Sequence, residues 1–209
     1  MKKRIVSLLL VVCLVASALS NMALADETKE NLSTSGQLTD DEQWEYAEYK
    51  DGVTLTQYLG SSTDVYVPGT VIIGEKEYNV IKLGDNVFEN NDSLNSVTLG
   101  VGIKEIGART FFDADNMVCV LTSEELETIG DEAFYSCDNF NSIILYDAIK
   151  SIGANVFAEC PKLTVWCNEG TVGHTYVQEN VVSYKILNPN AEPETIVQEG
   201  ITYYVMNGE

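Results

Sequence analysis

The apolar positions of this chain recur at a long fixed spacing rather than at the period of a single helix or strand. Phe88, Phe111, Phe134 and Phe157 stand 23 residues apart, and each follows a glycine by four, Gly84, Gly107, Gly130 and Gly153. After the phenylalanine comes a second pattern: Leu94-x-x-Val97-x-Leu99, Met117-x-x-Val120-x-Thr122, Phe140-x-x-Ile143-x-Leu145. That is the strand spacing of a leucine-rich coil. An apolar pair precedes each glycine, Val80 with Leu83, Ile103 with Ile106, Leu126 with Ile129 and Ile149 with Ile152. Each unit therefore predicts a strand, a turn, a short strand, a glycine turn, and a helical or 3₁₀ turn carrying the phenylalanine. The apolar groups of one unit cannot offset the entropy of ordering it, so the units must stack into a solenoid with capped ends. The glycine is expected where the chain turns with φ > 0, and the phenylalanine fills the interior behind it.

The ends of the pattern predict the caps. From Trp44 to Tyr58 aromatic or aliphatic residues alternate with polar ones across Asp51-Gly52, a hairpin signal that supplies an opening cap. The first coil, with Val65 and Val67 as strand positions, needs an excursion around Gly74-Glu75-Lys76. The last keeps Leu163, Val165 and Cys167 one residue short of register, then predicts a short helix near Gly173 to Glu179 and a final strand. The expected fold is a mainly β, right-handed leucine-rich stack of about five coils over residues 44–187. Residues 26–43 read as a flexible acidic leader, poor in apolar groups. "NPNAEPE" at 188–194 reads as a linker, and the stretch to Glu209 as an alternating strand running to Asn207-Gly208, compatible with the start of a further module.

The amino terminus changes the picture from globular to exported. Lys2, Lys3 and Arg4, the apolar run Ile5 to Leu19, and Ala23-Leu24-Ala25 form a signal peptide pattern over residues 1–25. No later apolar run is long enough to span a bilayer. Cys13 follows Val12 rather than the small residue of a lipoprotein signal. The whole chain has 12 Lys plus Arg against 32 Asp plus Glu, a net charge of −20. Three basic and no acidic residues leave with the signal, which makes the remainder −23. Such a surface argues against nucleic acid and anionic membrane as partners, since both need a basic footprint. Cys119, Cys137, Cys160 and Cys167 remain, with no tight CxxC spacing for zinc or redox work. Cys137 and Cys160 share one repeat position; a small packing column explains them better than a bridge, although adjacent coils would bring them near disulfide distance.

These units resemble the BspA-like leucine-rich repeats of bacterial surface and secreted proteins, whose pattern is "IG..aF..C..L..I.l". The resemblance runs from about Val53 to Leu187, with "YLGSSTDVYVPG" similar to the usual opening and "LTVWCNEGTVGHTYVQENVVSYKIL" to the usual close. Met117 and Phe140 replace the usual leucine, and two units lack the cysteine. The resemblance implies a curved solenoid used for protein recognition or adhesion, often inside larger chains, with no cofactor and no catalytic residues to carry over.

Residues outside the pattern offer little chemistry. His174 is the only histidine and has no second ligand at metal spacing. Ser61, Ser62 and Thr63 lack a histidine base nearby in sequence. The glycines come singly, so no phosphate cradle forms. Asp92, Asp115 and Asp138 share a repeat position where turn chemistry competes with a calcium ladder. The informative column lies between the buried strand positions, where side chains point to the other face: Thr98, Leu121, Ile144 and Trp166, with Tyr146 beside them. Large apolar groups there suggest a protein-binding stripe. The functional expectation is a secreted or cell-surface recognition or adhesion module, not an enzyme. The alternative is a spacer or remnant of a larger exported protein without its own ligand.

Overall fold

The alternating stretch at the start folds as the hairpin its pattern predicts. In the computed structural model, which describes residues 37–187 and the backbone of 193–198 and 201–206, β1 (Gln37–Leu38) lies antiparallel on β2 (Trp44–Tyr49). β2 in turn pairs antiparallel with β3 (Gly52–Tyr58). Residues 37–43 are thus structured, inside the segment expected to be a flexible leader to residue 43. Thr39 is buried there, and its N–H donates to Trp44 O at 3.0 Å. Asp40 N–H donates to Ile72 O at 2.9 Å, and its Oδ1 accepts from Gly74 N at 2.9 Å. The polar residues of this segment satisfy backbone groups, so low hydrophobicity does not leave them unstructured. The signal pattern at 1–25, the leader at 26–36, the linker residues 188–192 and the Asn207-Gly208 turn lie outside the described residues.

β4 (Asp64–Val67) opens the repeats, and the expected excursion is a second hairpin of β5 (Thr70–Ile73) and β6 (Lys76–Leu83). Its two-residue turn has Gly74 at φ +56 and Glu75 at φ +68, the positive pair that matches strand twist. The coils follow as β7 (Ser96–Leu99), β8 (Glu105–Ile106), β9 (Cys119–Leu121), β10 (Thr128–Ile129), β11 (Ser142–Leu145), β12 (Ser151–Ile152) and β13 (Thr164–Cys167). Helix α1 (Val172–Glu179) and β14 (Tyr184–Ile186) close the stack. β4, β7, β9, β11, β13 and β14 form a parallel six-stranded sheet, about six turns where five were expected. β8, β10 and β12 extend from β6 in the other sheet, which the opening hairpin caps. Beyond it, β15 (Pro193–Gln198) and β16 (Ile201–Met206) pair antiparallel, two strands where one was expected.

The phenylalanines form an aromatic spine. Phe88 stacks on Phe111 at 5.4 Å between ring centroids, Phe111 on Phe134 at 5.0 Å, and Phe134 on Phe157 at 5.5 Å. Each end meets a ring edge-on: Trp44 of the hairpin on Phe88 and Tyr176 of α1 on Phe157. The caps therefore cover the two faces of the spine that no further coil covers, as terminal units of a solenoid must.

Two expectations about the turns are corrected. No helix or 3₁₀ segment carries the phenylalanine; the chain bends through successive turns. Nor are the repeat glycines at positive φ. Left-handed backbone falls two and six residues later, at Asn86, Arg109, Glu132 and Asn155, then at Asn90, Asp113, Ser136 and Glu159. The glycines answer to close approach: a Cβ on Gly130 would lie 2.5 Å from Ala108 N and 2.6 Å from Gly107 C. Between the coils, backbone bonds run turn to turn, such as Phe111 N–H to Ala133 O at 2.8 Å and Phe134 N–H to Val156 O at 3.0 Å. Asp131 Oδ1 accepts from Ala154 N at 2.8 Å in the same way. On the outside Arg109 reaches Glu89 in the coil before and Glu132 in the coil after, with its guanidinium 3.5 Å from the centre of the Phe112 ring. Phe112 stacks on Tyr135, so this cation ties three coils together.

The cysteine column packs as thiols. Cys137 Sγ donates to Phe111 O at 3.0 Å and Cys160 Sγ to Phe134 O at 2.8 Å, each bond reaching one coil back. The neighbouring Cys160 thiol and burial push the Cys137 thiol well above its ordinary value.

Candidate sheet face and its rows

Strand alternation sends Val65, Val97, Val120, Ile143 and Val165 into the core and their neighbours outward. Parallel in-register pairing then turns outward residues of successive coils into continuous rows. Tyr66 pairs with Thr98, Thr98 with Leu121, Ile144 with Trp166, and Trp166 with Lys185. The pairing of Cys119 with Ser142 carries the row from Leu121 to Ile144. Thr98, Leu121, Ile144 and Trp166, expected as one column, thus lie in one row. Ile144 opposite Trp166 is the one-residue slip the sequence pattern required.

The structure redraws that row at both ends. Trp166 is only 8 % exposed, because β14 adds a further rung and Lys185 Nζ sits 5.0 Å from the centre of its ring. At the other end Tyr66, 62 % exposed, is the most open ring of the row. Leu121 and Ile144 are half-buried between these ends. Tyr146 stands just past β11, where burial and then the Glu124 carboxylate push its phenol above the ordinary value. Tyr66 was legible in the sequence, because it lies between Val65 and Val67. Lys185 was not, because its role depends on how β14 docks.

A second row runs beside the first: Asp64, Ser96, Cys119, Ser142 and Thr164. It places small polar side chains next to larger apolar ones. Ser96 Oγ and Asn95 Nδ2 donate to Asp64 Oδ1 at 2.5 and 2.7 Å. These bonds hold the Asp64 carboxyl below its ordinary range, so it is charged. Burial, with Asp64 adding to it, raises the Cys119 thiol. The turns leaving β9, β11 and β13 carry Glu124, Glu125, Asp147 and Glu169.

Other candidate residues are occupied structurally. His174 Nδ1 accepts from Gly170 N at 3.1 Å, and its ring packs edge-on against Tyr184, while Thr171 caps α1 by accepting from His174 N at 3.2 Å. Ser62 Oγ donates to the Asp64 backbone carbonyl at 2.7 Å. Asp92, Asp115 and Asp138 remain a ladder. Asn116 Nδ2 donates to Asp92 O at 2.6 Å and Asn139 Nδ2 to Asp115 O at 2.8 Å. Burial and the charges of Asp138, Asp113 and Asp92 raise the Asp115 carboxyl. Among the described residues no three His, Cys, Asp or Glu side chains are arranged to hold a metal ion.

A parallel two-sheet solenoid with repeat glycines, a phenylalanine spine and a broad sheet face defines a leucine-rich repeat scaffold, a class built for protein interaction. The BspA type leucine-rich repeat region matches residues 73–181 in six copies, and the chain belongs to that family. A leucine-rich repeat protein from Bacteroides capillosus is 27 % identical with a TM-score of 0.57, over 65 % of this chain and 99 % of that one. A leucine-rich cell surface protein from Faecalibacterium prausnitzii is 27 % identical with a TM-score of 0.59, over 66 % of this chain but 38 % of that one. No curated protein matches the chain. Among the described residues no helix is long and apolar enough to cross a membrane.

Proposed function

We propose that this protein is an exported recognition module that binds a protein partner, in adhesion or a related surface role, through the outward face of the six-stranded sheet. One observation carries the reading: Tyr66, Leu121 and Ile144 share a single in-register row, flanked by a row of small polar groups. Stacked coils present these side chains on a preformed backbone, which lowers the ordering cost at binding. The acidic surround, from a net charge of −20, selects against acidic partners. The export pattern at residues 1–25 and the likeness to a cell surface protein support the location.

The test is capture from bacterial surface and host matrix extracts, identification of what is held, and rebinding of the purified partner. Leu121→Ser with Ile144→Ser should cut rebinding about tenfold or more, the loss of 1.4 kcal/mol or greater expected when central apolar contacts go. The melting midpoint should move little. Equal rebinding by both proteins sinks the sheet-face reading. Export is checked separately: the chain lacking residues 1–25 should stay inside the producing cell, and its appearance in the medium would contradict the signal.

A further inference from the structure

The open end of the apolar row runs into a cavity. Between the opening hairpin and β4 lies a recess of about 180 Å³, lined in part by Asp41, Trp44, Tyr58, Ser62, Asp64 and Tyr66. β4 is the end strand of its sheet, so among the described residues no strand pairs with its far edge. Two kinds of wall meet there. The buried Trp44 and half-buried Tyr58 pack their rings 4.7 Å apart at its inner side, and the open Tyr66 ring lines its outer side. Two carboxylates line it as well, each fixed through one oxygen. Asp41 Oδ1 accepts from Gln43 N at 3.1 Å and from Thr39 Oγ1 at 2.5 Å, as Asp64 Oδ1 does from Asn95 and Ser96. Among the described residues Asp41 Oδ2 has no hydrogen bond, and Asp64 Oδ2 has only Thr63 Oγ1 at 3.5 Å. Among the described residues no lysine or arginine lines the space.

Two positioned negative charges beside the open Tyr66 ring favour one ligand chemistry. A cation pairs with the free carboxylate oxygens and lies against the Tyr66 ring face, which attracts it in turn. An anion is repelled, and an uncharged apolar group leaves the carboxylates unanswered. We propose that this cavity takes a cationic side chain, a lysine ammonium or an arginine guanidinium, from a protein segment lying along β4. This rests on the sheet-face reading only in assigning that segment to the same partner, because Tyr66 belongs to both the row and the cavity. The net charge of −20 disfavours a second copy of this chain as the occupant.

The two tryptophans allow a direct test by NMR, because Trp44 lines the cavity and Trp166 lies in the row's far end with Lys185 over it. Titration with an acetylated, amidated hexalysine peptide should shift the Trp44 indole N–H signal saturably and leave that of Trp166 in place. Hexaglutamate should shift neither. The double variant Asp41→Asn with Asp64→Asn keeps the shape and the accepting oxygens, and should weaken hexalysine binding about tenfold. Two results would overturn the proposal: no Trp44 shift, or an equal affinity in the double variant. The two readings fail separately. Loss of the hexalysine effect with partner binding still sensitive at Leu121 and Ile144 rejects the cavity alone, and the reverse rejects the sheet face alone.

Discussion

Phe134→Ala is expected to cost about 3–5 kcal/mol, the range for emptying a buried aromatic site, which is a large share of the stability of a domain this size. Phe134 is fully buried between two spine rings and a third phenylalanine beside the spine. Its ring stacks on Phe111 at 5.0 Å, on Phe157 at 5.5 Å and on Phe140 at 5.0 Å. No cap ring lies nearby to move in, because Trp44 and Tyr176 close the far ends. In a solenoid each coil contacts only its neighbours, so a hole at this point weakens the single link between the two halves. Urea unfolding should show a lower midpoint and a broadened or biphasic transition. Phe112→Ala, one residue along from Phe111 and outside the core, should cost less than about 1 kcal/mol, since a half-exposed aromatic pair contributes on that scale. Comparable losses in the two variants would show that the spine does not hold the coils together.

The contrast between these phenylalanines shows why so much of the fold was legible. A strict period places every apolar residue on one of two sides, and stacking leaves no freedom to exchange them. The strand registers, the hairpin cap, the excursion at Gly74, and the helix and strand at the close all followed from spacing alone. What spacing could not supply was the backbone conformation of the turns. Their left-handed positions hold Asn86, Arg109, Glu132 and Asn155, four units with three residue types, so no shared residue marks them. Such a conformation costs a residue other than glycine about a kcal/mol or more, and it is held here by bonds to the next coil that no single unit contains. Arg109 N–H, for example, donates to Asp131 O at 2.9 Å, and Glu132 N–H to Ala154 O at 2.9 Å.

The row of the candidate face was legible by the same rule, and its exposure illegible for the same reason. Thr98, Leu121, Ile144 and Trp166 shared a row because alternation and period fix rows. Which members of a row face open solvent depends on what docks at the ends. β14 and Lys185 close over Trp166, whereas β4 has no outer neighbour strand among the described residues and leaves Tyr66 open. The cavity beside Tyr66 had no sequence signal at all. It joins Asp41, within the segment read as unstructured, to Trp44 of the hairpin and Asp64 of the first coil.

Gly130→Ala is the second large expected effect, and it separates two reasons for a repeated glycine. Were Gly130 needed for positive φ, the substitution would strain only its own turn, and neighbouring coils would not feel it. Its backbone is not left-handed; the new Cβ would instead meet Ala108 N at 2.5 Å, Gly107 C at 2.6 Å and Ala108 Cα at 2.9 Å. All three are main-chain atoms of the preceding coil, which cannot rotate away as a side chain could. Relief requires the coils to part, lengthening the bonds Gly130 N–H to Ile106 O at 2.9 Å and Phe111 N–H to Ala133 O at 2.8 Å. The cost is expected at about 3 kcal/mol, the upper part of the overpacking range, because backbone and not side chain must shift. Gly74→Ala is the matched control. Gly74 does have positive φ but meets nothing within 4 Å, so only the local conformational term of about 1 kcal/mol applies. Hydrogen exchange reads the difference: Gly130→Ala should speed exchange at the amides of both Phe111 and Gly130, whereas Gly74→Ala should speed it only around the β5–β6 turn. Faster exchange confined to residues 130–134 in Gly130→Ala would reject close approach as the reason for the repeat.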